Sequence, residues 1–232
     1  MKKNFQVDDG CVLYLPSRKR TTSTWTDFSK SGNNGTVYGA ATPPAATPGA
    51  LGYTFDGVDD YVDVGNKASV QITGTFTIET WIKGNSFTSN RSIVQKYDAG
   101  GSERGFTMYF TDGILQLVVS STPTPFTGAI RVSATTLTTG NWYHIVTVFS
   151  PSANQDIYVN GVLDNGDLTG TIQSSIANPT RNLTIGANYN NSTTPNIDFF
   201  NGIIDGVRIY NRALSQGEIT ALFGKTRKFY GV

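Results

Sequence analysis

The chain has 232 residues, the length of one large β domain with a single core, and leaves no room for a second domain. Its 25 Gly, 13 Phe and 11 Tyr, with many Thr and Val, favour strands and turns over helix. A net charge of +1 excludes a general electrostatic pull on nucleic acid or anionic membrane, the single Cys11 excludes an intrachain disulfide, and one Cys with one His excludes a zinc site.

The first ten residues open with Lys2 and Lys3 but lack the apolar run of a secretory signal, and no segment has the length and hydropathy of a membrane span. Residues 1–9 read as a short extension, and Val12–Leu15 as the first strand. A polar stretch from Ser17 to Gly35, with Arg18, Lys19 and Arg20 near its start, leads to a strand at Thr36–Tyr38. Pro43, Pro44 and Pro48 mark the stretch from Ala40 to Gly49 as a surface loop, because proline cannot sit in a central strand. In Phe76–Lys83 the residues Phe76, Ile78, Thr80 and Ile82 share a core face, leaving Thr77, Glu79, Trp81 and Lys83 on a partly exposed one. Thr111-Asp112-Gly113 and Asn160-Gly161 each separate two alternating runs, which predicts two hairpins whose turns need positive φ. His144 shares parity with Trp142, Val146 and Val148, the pattern of a packed, hydrogen-bonded histidine. Near the end, Ser215 and Glu218 form a capping box that predicts a helix over Ile219–Phe223, stopped by Gly224. The remainder, 225–232, mixes Lys225, Arg227 and Lys228 with Phe229 and Tyr230. It reads as a frayed end or as a docking strand for a neighbouring subunit. Asn-X-Ser/Thr triplets at Asn34, Asn90, Asn182, Asn190 and Asn191 are chance occurrences in an Asn- and Thr-rich chain without a secretion signal.

Five segments recur in a known order. They are GYTFDGVDDYVDV (52–64), FTIETWIK (76–83), NWYHIVTV (141–148), DIYVNGVL (156–163) and NGIIDGVRIYNRALS (201–215). From about Gly10 to Phe223 the chain resembles the laminin-G-like branch of the concanavalin A-like lectin/glucanase superfamily. The resemblance implies an all-β, two-sheet antiparallel jelly-roll sandwich with one short C-terminal helix, a single domain over 1–232.

That superfamily includes glycoside hydrolases, which place two carboxylates on one strand, about 5 Å apart when the reaction retains configuration. No such run exists here: Glu79 stands alone on its strand, Glu103 lies in a Gly-Ser-rich loop, and Glu218 belongs to the helix. No catalytic residue is expected. Many family members hold a calcium ion near the pairing of the first and last strands. One structural Ca²⁺ is therefore an expectation, with Asp205, sharing parity with Val207 and Ile209, and the loop residues Asp27, Asn33 and Asn34, with Asp56 nearby, as ligands. Sugars stack on aromatic faces while polar neighbours fix their hydroxyls. Trp25, Trp81, Tyr97, Tyr109, Tyr189 and Phe126 are the candidate platforms, with Asp98, Arg104, Asn188, Asn190 and Asn191 as polar partners. The loops 96–105, 120–128 and 187–201 are where such residues gather. The function expected is a noncatalytic lectin-like binding or adhesion domain, a structural or decoration protein of a phage or virus particle that can bind host glycans. Its partners would be other protein subunits and glycans, and its location the virion surface or the extracellular space. The alternative is a carbohydrate-binding accessory module of a bacterial polysaccharide-degrading or adhesion system.

Overall fold

The computed structural model describes residues 9–16, 21–39, 41, 51–101 and 103–232. The basic residues Lys2, Lys3 and Arg18–Arg20, and the proline loop apart from Ala41, lie outside the described residues. Within them two antiparallel sheets, seven- and nine-stranded, stack face to face. The seven-stranded sheet runs in the order Cys11–Leu15, Asn201–Tyr210, Phe76–Gly84, Trp142–Ser150, Asn154–Val159, Val162–Leu163, with Tyr53–Asp56 also pairing with Asn201–Tyr210. The nine-stranded sheet runs Asn165–Gly170, Thr127–Thr136, Ile114–Thr122, Arg104–Thr111, Asn90–Tyr97, Leu183–Ile185, Tyr61–Gly65, Gly35–Tyr38, Thr24–Trp25. The expected jelly-roll sandwich is the observed fold.

Both hairpin signals produce the turns they specify. Asp112 and Gly113 have φ of 49° and 82°, and Asn160 and Gly161 have 51° and 79°. Two successive positive φ values match the right-handed twist of the flanking strands. Gly161 has a second constraint, since a Cβ there would lie 3.0 Å from Cβ of Phe223 on the helix.

The inter-sheet core is built from the inward residues of both sheets, including Phe55, Phe76, Ile78, Phe106, Met108, Phe110, Leu117, Phe149, Ile204 and Val207. A second, smaller core seals the outside of the seven-stranded sheet. Val146, Val148, Tyr158 and Tyr210 from its outer face meet Leu214, Ile219 and Leu222 from the helix segment. The helix spans Gln216–Thr226, and its capping box forms as expected between Ser215 and Glu218. Gly224 does not stop it: helical backbone continues through Thr226 into a short 3₁₀ turn at Arg227–Phe229. The cover corrects the reading of Phe76–Lys83 as having a partly exposed face, because Thr77, Glu79 and Trp81 on its outer face are buried beneath the helix and tail. Residues 225–232 are thus part of the folded domain, neither frayed nor extended: Tyr230 stacks on Trp81, with ring centroids 3.9 Å apart.

Beneath the helix lies a buried ionic group. Arg208 Nη1 donates to both carboxylate oxygens of Glu79, at 2.9 and 2.8 Å, and His144 Nε2 lies 3.0 Å from Glu79 Oε1. The Arg208 guanidinium sits 4.1 Å over the Tyr14 ring, and His144 is flanked by the rings of Trp81 and Phe223. His144 is packed and hydrogen-bonded as its parity implied. Burial pushes the Glu79 carboxyl up, but the Arg208 charge and the His144 hydrogen bond outweigh burial and hold it below the usual range.

Candidate functional site: a cleft on the outer face of the nine-stranded sheet

Alternation along three neighbouring strands lays the floor of a cleft. Phe106, Met108, Leu117, Val119 and Ala129 point into the sandwich, so Thr107, Tyr109, Val118 and Ile130 project from the opposite face. Thr107 and Val118 are directly paired, as are Val118 and Ile130. Around this floor stand Tyr97 and Ala99, Phe126, Asn188 and Asp198, and Asn90, enclosing a volume of about 220 Å³. The three polar loops singled out in the sequence converge here: Tyr97 and Ala99 come from the first, Phe126 from the second, and Asn188 and Asp198 from the third.

Each wall residue has a reason for its position. Tyr97 pairs with Arg104 across the strands. Tyr109 donates through its hydroxyl to Gln116 Oε1 at 2.8 Å, leaving the ring half-exposed along the floor. Burial raises both phenols above their ordinary value, so both are neutral hydroxyls at physiological pH. Asn188 donates from Nδ2 to Asp198 Oδ2 at 3.2 Å. Burial also raises the Asp198 carboxyl, against the Asn188 hydrogen bond and the charge of Arg91.

The loops are held by buried polar anchors. Asp98, one of the expected sugar partners, is fully buried: Oδ1 accepts from the amides of Gly101 and Asn191, and Oδ2 from Nε and Nη2 of Arg181. It fastens the first loop to the third and has no face toward a ligand. Tyr189 is buried beside it under the Arg181 guanidinium, 5.2 Å from its ring centroid. Gln95 links the sheet to the third loop, donating to Thr184 Oγ1 and the Ala187 carbonyl. Lys96 is buried as well, its ammonium donating to Asn66 Oδ1 and the carbonyls of Pro179 and Arg181, and burial lowers its pKa to about 8.

Of the eleven expected ligand-binding residues, the structure brings Tyr97, Tyr109, Phe126 and Asn188 into the cleft, and Arg104 is the cross-strand partner of Tyr97. Asn190 is exposed on the third loop, its amide donating to Asn196 Oδ1. Trp25 and Trp81 join Asp98 and Tyr189 among the buried residues. Trp25 packs on Tyr53 and donates to the Pro16 carbonyl at 2.8 Å. Trp81 is covered by Tyr230 and donates to Thr226 Oγ1 at 3.1 Å. Neither indole is a platform, since both faces are spent on packing. The sequence reading passed over Asp198, Thr107, Val118 and Ile130. Strand register identifies the last three, whereas nothing local to the sequence marks Asp198.

The five residues expected to hold calcium do not converge. Asp27 accepts four hydrogen bonds, from the amides of Tyr14, Ser29 and Asn33 and the hydroxyl of Ser29. That fills a carboxylate's acceptor sites. Asn33 is spent on the Val12 carbonyl and Ser69, and the Asn34 side-chain oxygen accepts from the Asp27 amide. Asp205 lies on the helix-covered side, where its Oδ2 accepts from the Tyr230 hydroxyl at 2.8 Å. A register shift between Asp205 and Arg208, with Gly206 at φ 62°, breaks the expected parity with Val207 and Ile209. Asp56 lies in a different setting, where Asp56, Asp59 and Asp60 each offer an oxygen within 4.8 Å of the others.

With two stacked antiparallel sheets and a cleft on an outer sheet face, the architecture is that of a lectin-like sandwich. The chain belongs to the concanavalin A-like lectin/glucanases superfamily, whose laminin-G-type profile matches residues 56–220. The binding domain of Paraclostridial mosquitocidal protein 1 is 16% identical with a TM-score of 0.72, covering 97% of this chain and 56% of that one. The binding domain of botulinum neurotoxin DC, solved in complex with SialylT, is 17% identical with a TM-score of 0.64, covering 95% and 52%. A structure of botulinum neurotoxin type C, whose cell entry is described as dependent upon interaction with two ganglioside molecules, is 19% identical with a TM-score of 0.65, covering 93% and 51%. At these identities the likeness is one of fold. The chain spans about half the length of each of these structures. A search of curated proteins returned no match. Among the described residues, no helix is long and apolar enough to cross a membrane.

Proposed function

We propose that this chain is a noncatalytic binding domain that takes an oligosaccharide in the cleft on the outer face of its nine-stranded sheet. The observation that carries the reading is the juxtaposition of Tyr97, Tyr109 and Phe126 with Asn90, Asn188 and Asp198 around one open volume of about 220 Å³. Aromatic faces accept the C–H faces of pyranose rings, and amide and carboxylate groups fix hydroxyls. The volume suits one or two sugar rings of a longer chain. The glycan-related names of the structural neighbours support the class of ligand. Noncatalytic function is supported by Glu79, whose carboxylate is sealed beneath the helix with Arg208 and His144. A glycan array probed with the native chain and with Tyr109→Ala tests the reading: binding that the variant loses is expected, and equal binding by both contradicts it.

The finer setting is also a proposal, namely a particle-surface or extracellular protein that works among other subunits. Phe229, 56% exposed on the last turn, supplies its observation, because aromatic side chains are enriched in the cores of protein interfaces. Sedimentation of Phe229→Ser against the native chain tests it, an unchanged oligomeric state counting against the idea. The accessory-module alternative would use the same cleft. A structural calcium ion is a proposal too; of the residues expected to hold it, Asp56 is the one in an oxygen-rich cluster, with Asp59 and Asp60.

A further inference from the structure

Asp198 is the only ionised side chain among the described residues that line the cleft; the other nine are neutral. Its backbone is in the left-handed region at φ 57°, which an aspartate adopts less readily than glycine. The conformation is held by the Ser92 amide, which donates to the Asp198 carbonyl at 2.8 Å, and by the Asn188 amide on Oδ2. Strained backbone that neighbouring bonds over-determine is concentrated at ligand sites. Arg91 is engaged with the Phe199 carbonyl and is not among the residues lining the cleft. Arg104, the cross-strand partner of Tyr97, is likewise not among the lining residues.

Resting on the carbohydrate reading of this cleft, we infer that Asp198 is its specificity-determining residue and that the ligand class is the neutral glycan. A carboxylate accepts two hydroxyl donors from adjacent carbons of a sugar, and such charge-assisted bonds are stronger than neutral ones. The same carboxylate repels the carboxylate of an acidic sugar, and no described lining residue offers a cation to compensate. Like-charge juxtaposition is how a site rejects the wrong ligand.

The test is calorimetric titration of the native chain with matched oligosaccharide pairs that differ only in a terminal sialic acid, repeated on Asp198→Asn. Asparagine tolerates the left-handed region at least as well as aspartate, so the variant keeps the loop. The native chain should favour the neutral member by about tenfold, which is about 1.4 kcal/mol. Asp198→Asn should bring the two within about threefold by removing the repulsion and the charge-assisted bonds together. A native preference for the sialylated member, or a ratio unchanged in Asp198→Asn, overturns the charge filter while leaving the carbohydrate reading in place. Binding of neither member of any pair, including to a control panel of neutral and acidic polysaccharides, overturns the carbohydrate reading and the filter with it.

Discussion

Tyr230 lies flat on Trp81, with ring planes 10° from parallel, and donates its hydroxyl proton to Asp205, the cross-strand partner of Trp81. One residue near the end of the chain thereby closes the helix-covered face over a tryptophan and a buried carboxylate. The tail is therefore neither the frayed end nor the docking strand that its composition suggested. Deleting 225–232, or making Tyr230→Ala, should lower stability by about 2–4 kcal/mol, the range for losing a large packed side chain. The measurement is urea unfolding with Trp fluorescence; an unchanged midpoint would show that the stack contributes nothing.

The Glu79–Arg208–His144 group makes a second prediction. Breaking a buried ion pair by removing one partner costs about 3–5 kcal/mol, so Glu79→Gln should lower stability by that order. The pH dependence follows from the direction of the shift. Glu79 titrates below its ordinary value of 4.5 in the folded chain, so its contribution is fully present above pH 4.5 and is lost as pH falls through the folded value. Melting temperature should fall on acidification below about pH 4.5, less steeply in Glu79→Gln. Equal acid slopes for the two proteins would contradict this account.

Gly161 joins a hairpin to the helix. Gly161→Ala places a Cβ at positive φ and 3.0 Å from Phe223, and should cost about 1–2 kcal/mol. Gly140, also at positive φ but with nothing within 4 Å of a Cβ, serves as the control for backbone strain alone. A loss for Gly161→Ala no greater than for Gly140→Ala would remove the packing part of the argument.

The devices legible in the sequence were the local ones. Asp112-Gly113 and Asn160-Gly161 carry their turn geometry in two residues, and Ser215 with Glu218 carries a helix start in four. Residues that depend on distant cover were not legible. Trp81 alternates as an outward residue, and it is outward, but the helix and Tyr230 bury it. Trp25 sits in a polar stretch, yet its ring reaches the core beside Tyr53. Asp205 is turned by a bulge that simple alternation cannot reveal, and Asp98 has the look of a loop ligand while serving as the loops' fastening. The cleft was half legible: its loops and Tyr97, Tyr109, Phe126 and Asn188 could be named, whereas Asp198 acquires its place only from the folded third loop.

Calcium is tested at the Asp56 turn. If an ion binds the folded state alone, a thousandfold excess over its dissociation constant adds about 4 kcal/mol. Melting temperature should rise on adding Ca²⁺ to EDTA-treated protein, and Asp59→Asn should abolish the rise. An unchanged melting curve would remove calcium from the account.

The central claim is that the outer face of the nine-stranded sheet is the ligand surface, and chemical-shift mapping of the isotope-labelled chain during titration with a neutral oligosaccharide tests it most directly. The account predicts saturable shifts concentrated on the amides and side chains of Tyr97, Thr107, Tyr109, Asn188 and Asp198. Saturable shifts confined to another surface, such as the exposed Tyr38 ring stacked on Tyr61, with the cleft silent, would contradict it.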